Sequence, residues 1–228
     1  MSREPIAVVA GVGPGLGLAV GNRFADAGCR VAMLARNQAA LEAMAAARAD
    51  RRLVPVPCDV TLPEQVAAAF ARIAGDLGVP ECVVCNAGGW VRAGILDLEP
   101  EAFERSWRVG CLGGFLVGQA AARLMVPAGR GTMLFTGATA SLRGGAGFAA
   151  FAAGKFGLRA VAQSMAREFG PQGIHVAHIV IDGQIGRDGG PDTQLDPAAI
   201  AETYHALHRQ PRSAWTFELE LRPWAERF

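Results

Sequence analysis

The segment Gly11-Val12-Gly13-Pro14-Gly15-Leu16-Gly17 decides the fold, because its glycines separate a short apolar run from a helical pattern. Residues 6–10 have the composition of a buried strand, and residues 15–27 have the periodicity of a helix. Glycines at such a turn let the backbone approach a pyrophosphate, whose charge then lies at a helix N-terminus. A tight turn without a ligand is the alternative, but this position between strand and helix favours nucleotide binding.

Strands and helices alternate along the remaining chain, which predicts an α/β fold with a doubly wound parallel sheet of about seven strands. Strands are expected at residues 6–10, 31–35, 53–57, 81–85, 131–136, 174–181 and 215–221. Helices are expected at residues 15–27, 38–49, 63–77, 100–125, 148–169 and 198–208. No linker divides the chain, so residues 1–228 are expected to form a single domain.

Composition excludes several classes of function. The formal net charge of +1 provides no basic surface for nucleic acid. We find no apolar run of the roughly 18 residues that a membrane span needs, and the strand that follows Met1 leaves no room for a signal peptide. These features predict a cytoplasmic protein.

The five cysteines are scattered and odd in number, which argues against a disulfide framework. Cys82 and Cys85 have the spacing of a redox pair but lie in a predicted strand, where residues three apart point to opposite faces. We interpret them as buried thiols. No Cys or His pair lies near them in sequence, so no metal site is expected.

Three further motifs follow the first one. Cys58-Asp59-Val60 ends the third strand, Asn86-Ala87-Gly88 ends the fourth, and Phe151-Ala152-Ala153-Gly154-Lys155 lies in a long helix. Together with the glycine spacing, they make the chain similar to the short-chain dehydrogenase/reductase family along nearly its whole length. The resemblance implies a Rossmann-type fold and a dinucleotide site. It implies that residues 184–214 include the loop and helix that cover the substrate.

The resemblance also implies which residues contact the cofactor. These are Gly11, Gly13, Gly15, Leu16, Gly17, Arg36, Asp59, Val60, Asn86, Ala87, Gly88, Lys155, Asp182 and Gly183. Asp59 would contact the adenine ring, Lys155 the nicotinamide ribose, and Asp182-Gly183 replaces a Pro-Gly pair of the family. Asn86 has an alternative role in stabilising the central sheet, which is compatible with lining the cleft.

The end of the second strand bears on the choice of cofactor. Proteins that prefer NAD place a carboxylate there to accept from the ribose, whereas this chain has Ala35-Arg36-Asn37. Arg36 can donate charge-assisted hydrogen bonds to a 2′-phosphate. We therefore expect NADP rather than NAD, with Arg36 as an ordinary surface charge being the alternative.

The resemblance predicts an incomplete set of catalytic groups. The family uses Tyr, Ser, Asn and Lys, and the matching positions here are Phe151, Ala138, Gly110 and Lys155. The chain resembles an atypical subgroup that has Phe in place of the Tyr. A phenyl ring cannot transfer a proton, and general acid–base catalysis contributes roughly 10²–10⁴ in rate.

Other side chains are candidates for the missing chemistry, each with a structural alternative. Thr139 and Ser141 can cap a turn, Cys111 can be core packing, and Asp182 can be a base or cap a loop. We expect Tyr204 to pack at the surface. The two histidines of the sixth strand are interpreted as structural: His175 and His178. Residues expected at the rim of the cleft are Trp90, Arg92, Arg143 and Arg187.

Three functions remain open from the sequence. The first is an NADP-dependent oxidoreductase with an unusual proton donor and an unknown small-molecule substrate. The second is a nucleotide-binding protein without reductase activity, and the third is a lyase or isomerase that uses the same cleft. As in similar proteins, helices 101–125 and 148–169 are expected to form a homodimer or homotetramer, aided by the apolar C-terminal residues 223–228.

Overall fold

A computed structural model describes residues 4–187 and 189–226. The predicted leaderless start at residues 1–3 and the last two residues of the apolar C-terminus lie outside this part. The strands are β1 (Ile6–Ala10), β2 (Arg30–Ala35), β3 (Leu53–Pro57), β4 (Cys82–Cys85), β5 (Gly131–Thr136), β6 (Ile174–Ile181) and β7 (Glu218–Leu221). The α-helices are α1 (Leu16–Asp26), α2 (Gln38–Ala46), α3 (Pro63–Asp76), α4 (Pro100–Trp107), α5 (Gly113–Ala128), α6 (Ala149–Phe169) and α7 (Pro197–His208).

The strands form one seven-stranded sheet in the order β3-β2-β1-β4-β5-β6-β7, and every pair is parallel. The predicted doubly wound fold is confirmed. The order reverses between β1 and β4, which is where ligands bind in open sheets of this kind. The segments that follow β1, β4, β5 and β6 therefore meet at one edge, which positions the candidate site.

The central strands are buried on both faces, which is why their sequences are continuously apolar rather than alternating. The core has two halves, one on each side of the sheet. Cys82 belongs to one half and Cys85 to the other, and both thiols are buried. Burial raises the pKa of both thiols, as expected for packing residues rather than a redox pair.

Helices α4 and α5 form one long helix that is interrupted by a π-helical segment, Arg108–Leu112. This helix, Pro100–Ala128, has a mean hydropathy of 1.5 over a window long enough to cross a membrane. The expectation that no segment reaches this length and hydropathy was wrong. Half of the window is buried inside the fold, where its small residues contact α6 and the sheet, as a core helix does.

Candidate functional site

The glycine loop folds tightly because it passes directly beside the segment after β4. Gly11 has φ +94°, and a Cβ placed there would lie 2.4 Å from the Ala87 amide nitrogen. The amide of Gly11 donates to the Leu34 carbonyl over 2.9 Å. A side chain at position 11 would therefore be both conformationally strained and blocked by backbone.

The two middle glycines have a different environment. A Cβ added at Gly13 or Gly15 would meet nothing within 4 Å, so both face open space at the start of α1. Gly15 is the N-cap of that helix and offers no side-chain hydrogen bond to its first amides. A helix N-terminus with free amides and no covering side chain fits the pyrophosphate of a dinucleotide.

Asn86 connects the glycine loop to the centre of the sheet. Its Nδ2 donates to the Gly11 carbonyl over 2.9 Å, and its Oδ1 accepts from the Thr136 hydroxyl over 3.1 Å. The Thr136 hydroxyl also bonds the Tyr204 hydroxyl over 2.8 Å. Asn86 therefore has the sheet-stabilising role, while it also lines the cleft.

The expectation that Tyr204 packs at the surface was wrong. Tyr204 lies on the inner face of α7, and its ring is fully buried in the half of the core that α1 also covers. Burial raises the pKa of its phenol well above the ordinary value of 10. The only Tyr of the chain is thus a core residue whose hydroxyl is used on Thr136.

A cleft of about 280 Å³ opens beside the glycine loop on the β2 side. Arg36 lies at its edge, exposed, and makes no ion pair with any residue that the structure describes. Asp59 also lines this cleft, but its carboxylate accepts from the backbone and hydroxyl of Thr61 over 2.9 and 2.8 Å. The lining further includes Gly11, Gly13, Val60, Asn86, Ala87 and Gly88.

A larger cleft of about 800 Å³ lies on the other side of Asn86 and Gly88, which line both clefts. It brings together predicted residues from five segments of the chain. These are Leu16, Asn86, Gly88, Ala138, Phe151, Lys155, Asp182 and Gly183. Its other walls are largely apolar, with Trp90, Phe148, Ile181 and Ile185 among the lining residues.

Lys155 is buried in this cleft, with 4% of its surface exposed. Its Nζ donates to the Thr136 carbonyl over 2.6 Å and lies 5.7 Å from the centre of the Phe151 ring. It forms no ion pair within the described part of the chain, and burial lowers its pKa to about 8. Two of its three N–H groups remain available for a ligand.

Ala138 and Gly110, the positions that the resemblance assigns to the Ser and the Asn, have different surroundings. Ala138 lines the cleft, and its backbone amide donates to the buried Ser141 hydroxyl over 3.1 Å. Gly110 lies within the π-helical segment, where a Cβ would lie 3.5 Å from the Gly154 Cα. It packs against α6 and is not among the residues that the structure shows lining either cleft.

Sequence reasoning missed one pairing in the larger cleft. The Thr139 hydroxyl donates to Asp182 Oδ1, and Arg222 donates to Asp182 Oδ2. In the sequence, Thr139 and Asp182 are separate candidates that lie 43 residues apart. Their meeting could have been anticipated from the topology, because they follow β5 and β6, which are adjacent and parallel.

The remaining candidates divide between rim and core. Trp90 and Arg143 line the larger cleft, and Arg92 lies over the Phe148 ring at 5.5 Å. Arg187 is exposed and is not among the described residues that line the larger cleft. His175 and His178 are buried in β6, and their ring nitrogens bond the Thr216 carbonyl and the Glu218 carboxylate over 2.8 and 2.9 Å.

The segment 184–214 lies only partly at the cleft. Gln184 and Ile185 line it, and the backbone of Ile185 pairs with that of Leu195. Helix α7 instead packs against α1, and Asp196 caps its N-terminus by accepting from the Ala198 amide over 3.0 Å. Covering of a substrate by this segment stays a prediction that applies to its first residues.

Comparison with known proteins adds an independent observation. The family model for short-chain dehydrogenases matches residues 5–183. The cis-1,2-dihydrobenzene-1,2-diol dehydrogenase of Pseudomonas putida is 34% identical over 188 residues, which cover 80% of this chain and 67% of that protein. A crystal structure of a short-chain dehydrogenase from Rhodopseudomonas palustris has a TM-score of 0.88 and 41% identity, covering 98% of this chain and 100% of that one. An alcohol dehydrogenase from Thermococcus sibiricus, solved with 5-hydroxy-NADP, has the same fold, with a TM-score of 0.89, 24% identity and 98% coverage of both chains.

Proposed function

Since this chain belongs to the short-chain dehydrogenase family, we propose that it is an NADP(H)-binding oxidoreductase that works without the usual phenol. One observation carries the proposal. The cleft beside Arg36 and the cleft beside Lys155 meet at Asn86 and Gly88. A dinucleotide can therefore run from one to the other across the N-terminus of α1, as it does at the switch point of doubly wound sheets.

Different residues of the chain bind different parts of the dinucleotide. The open face at Gly13 and Gly15 accommodates the pyrophosphate, and Arg36 donates to the 2′-phosphate. Lys155 uses its free N–H groups on the nicotinamide ribose, while Asp182 and Gly183 border the nicotinamide. When bound, the cofactor supplies or accepts the hydride. Phe151, Ala138 and Gly110 hold the positions of the Tyr, Ser and Asn but offer no polar side-chain atom to a substrate.

A second function is favoured by that same loss of polar groups. A chain that keeps the proposed nucleotide-binding residues but lacks the Tyr, Ser and Asn at the matching catalytic positions is also suited to bind the nucleotide without reducing anything, or to use the cleft for a lyase or isomerase reaction. The two functions differ in turnover, not in binding. Nucleotide binding and turnover therefore have to be measured separately.

The test is an NADPH titration followed by fluorescence, together with absorbance assays on panels of carbonyls and alcohols. We expect NADPH to bind more tightly than NADH. Arg36→Ala should weaken the binding of NADPH roughly tenfold or more, which is the lower end of the range for a hydrogen bond to a charged group. The affinity for NADH should not change. Equal affinities of the unmodified protein for the two cofactors would contradict the preference. Binding without turnover on either panel would favour the second function.

We propose the following for the organisation of the whole protein. Residues 1–228 act as one unit, the first residues of segment 184–214 border the substrate, and the protein is a cytoplasmic homodimer or homotetramer. All five cysteines are free and buried, which fits a reducing compartment.

A further inference from the structure

The pairing of Thr139 with Asp182 fixes the direction of a hydrogen bond inside the larger cleft. Asp182 is buried and, as a carboxylate, can only accept. One of its oxygens accepts from Thr139 and the other from Arg222. The Thr139 proton is therefore committed to Asp182, and the lone pairs of its oxygen, to which no described residue donates, can accept from a ligand.

These lone pairs are accessible from the cleft. Thr139 is only partly buried and lines the cleft immediately after Ala138, so a ligand can reach its hydroxyl. The neighbouring walls are apolar over much of their surface, with Leu16, Phe151 and Ile181 among them. A hydrogen-bond acceptor in an apolar wall attracts a ligand that presents one hydroxyl on an apolar body.

We propose that Thr139, backed by Asp182, receives the hydroxyl of an apolar secondary alcohol, so that this cleft is built for alcohol oxidation. The proposal rests on the proposed oxidoreductase function and names its substrate class and its proton acceptor. A ketone has no proton to donate, so its oxygen would face the lone pairs of the Thr139 oxygen without forming a hydrogen bond. Arg222 holds the Asp182 charge in place, which keeps the accepting orientation.

The proposed step balances when a bound oxidised nicotinamide takes the hydride and solvent takes the proton. The substrate C–H bond breaks and its electron pair leaves as hydride to the oxidised nicotinamide, while the C=O bond forms. The hydroxyl proton moves to Thr139 Oγ1 as the Thr139 proton moves to Asp182 Oδ1. The Asp182 proton then passes to solvent. Thr139 touches the substrate, and Asp182 acts through it.

The direct test is a binding comparison that needs no turnover. Isothermal calorimetry with the full chain, without cofactor, compares 1-indanol with 1-indanone. We expect the alcohol to bind more tightly by roughly twofold to tenfold, the worth of one hydrogen bond. Lys155 can donate to either ligand, so the informative quantity is how the ratio of the two affinities changes with the residue at position 139.

Two variants at that position form a matched pair. Thr139→Val, which keeps the shape and removes the hydroxyl, should abolish the preference for the alcohol. Thr139→Ser, which restores the hydroxyl, should recover it. Thr203→Val makes the same chemical change on α7, where the hydroxyl bonds its own helix, and should leave the preference unaltered.

Asp182→Asn tests whether the carboxylate sets the direction of the Thr139 hydrogen bond. Arg222, which also pairs with Glu220 over 2.7 Å, can only donate, so the Asn oxygen faces Arg222 and its NH₂ group donates to Thr139. The Thr139 proton is then free to point into the cleft, where the hydroxyl can donate to a ketone as well as accept from an alcohol, so the preference for the alcohol should fall. A thermal melt checks that this variant folds. If it does not, the pair at position 139 still decides the proposal.

The outcomes are separable from those of the proposed function. No preference in the unmodified protein, a preference that survives Thr139→Val, or no binding of either compound at millimolar concentration overturns the role of Thr139. Failure of NADPH to bind in the fluorescence titration overturns the oxidoreductase function instead. If 1-indanol is oxidised with NADP⁺, Thr139→Val should lower kcat more than it raises KM, and Thr139→Ser should restore kcat.

Discussion

At the scale of single residues, Lys155 is an ammonium group in an apolar site without a counter-charge among the described residues. Burial lowers its pKa from 10.5 to about 8. Its proton is thus held less tightly in the folded chain than in the unfolded one. Keeping this side chain charged and buried opposes folding, a cost that a ligand with a hydroxyl or a negative charge near the amine would offset.

The pH dependence of stability follows from this pKa. Below about pH 8 the cost of burying the charge is fully present. The free energy of unfolding rises between about pH 8 and 10.5, where only the unfolded chain still holds the proton. We expect Lys155→Met to be more stable at pH 7, on the order of 1–3 kcal/mol, and this advantage to shrink as the pH rises to 10.5. Denaturant unfolding at several pH values measures it, and an advantage that does not change with pH would contradict the assignment.

The proposed absence of two catalytic hydroxyls gives a second prediction at this scale. Phe151→Tyr places a phenol one helical turn before Lys155, and Ala138→Ser adds a hydroxyl in the same cleft. Groups that act as a unit are non-additive, so each change alone should do little. The pair should raise NADPH-dependent carbonyl reduction roughly tenfold or more, as measured by absorbance. A folded double variant that binds NADPH and reduces nothing would favour the non-redox function.

At the scale of elements, the sequence predicted nearly every helix and strand, because burial on both faces leaves continuous apolar runs and glycines or prolines mark their ends. It did not predict the π-helical segment Arg108–Leu112, since an extra residue in a helical turn leaves no periodic signal of its own. The buried position of Tyr204 and the pairing of Thr139 with Asp182 were missed because each depends on a partner far away in the chain. Gly110 matched a family position by spacing, but its contact with Gly154 is visible only in three dimensions.

Two helical glycines with opposite surroundings test how closely the elements pack. Gly75 in α3 is exposed, and an added Cβ would meet nothing within 4 Å. Gly113 at the start of α5 would place its Cβ 2.8 Å from Val60 Cγ2. Gly75→Ala should raise the free energy of unfolding by about 0.5–1 kcal/mol through the loss of backbone freedom in the unfolded chain. Gly113→Ala should lower it, as overpacking does. Chemical denaturation of the two variants provides the comparison, and equal effects would argue against close packing at Val60.

At the scale of the whole molecule, large apolar side chains remain exposed on the long helices. Phe103 and Trp107 lie on α4, Phe115 on α5 and Phe156 on α6. Members of this family commonly assemble, and aromatic residues left in water favour an interface. Trp224 is also 77% exposed near the C-terminus. These surfaces support the proposed contact between α4–α5 and α6 of two copies.

The assembly prediction is tested in solution. Light scattering at micromolar concentration should give the mass of a dimer or tetramer. Phe156→Glu should shift the protein toward the monomer, because an interface does not tolerate an unpaired buried carboxylate. Ala71→Glu, on the exposed face of α3, is the control that should not change the mass. A monomer in the unmodified protein would contradict the assembly.

The hydrogen-bond chain from Gly11 through Asn86 and Thr136 to Tyr204 has a thermodynamic consequence for ligand capture. The glycine loop is connected to Tyr204 on α7 through the side chains of Asn86, which follows β4, and Thr136 at the end of β5. The loop therefore loses its conformational entropy when the chain folds, and not when the nucleotide binds. Binding at such a rigid loop carries a small ordering entropy. Nucleotide affinity at the proposed phosphate site and the packing of α7 are consequently coupled, so that a substitution at Tyr204 should weaken nucleotide binding.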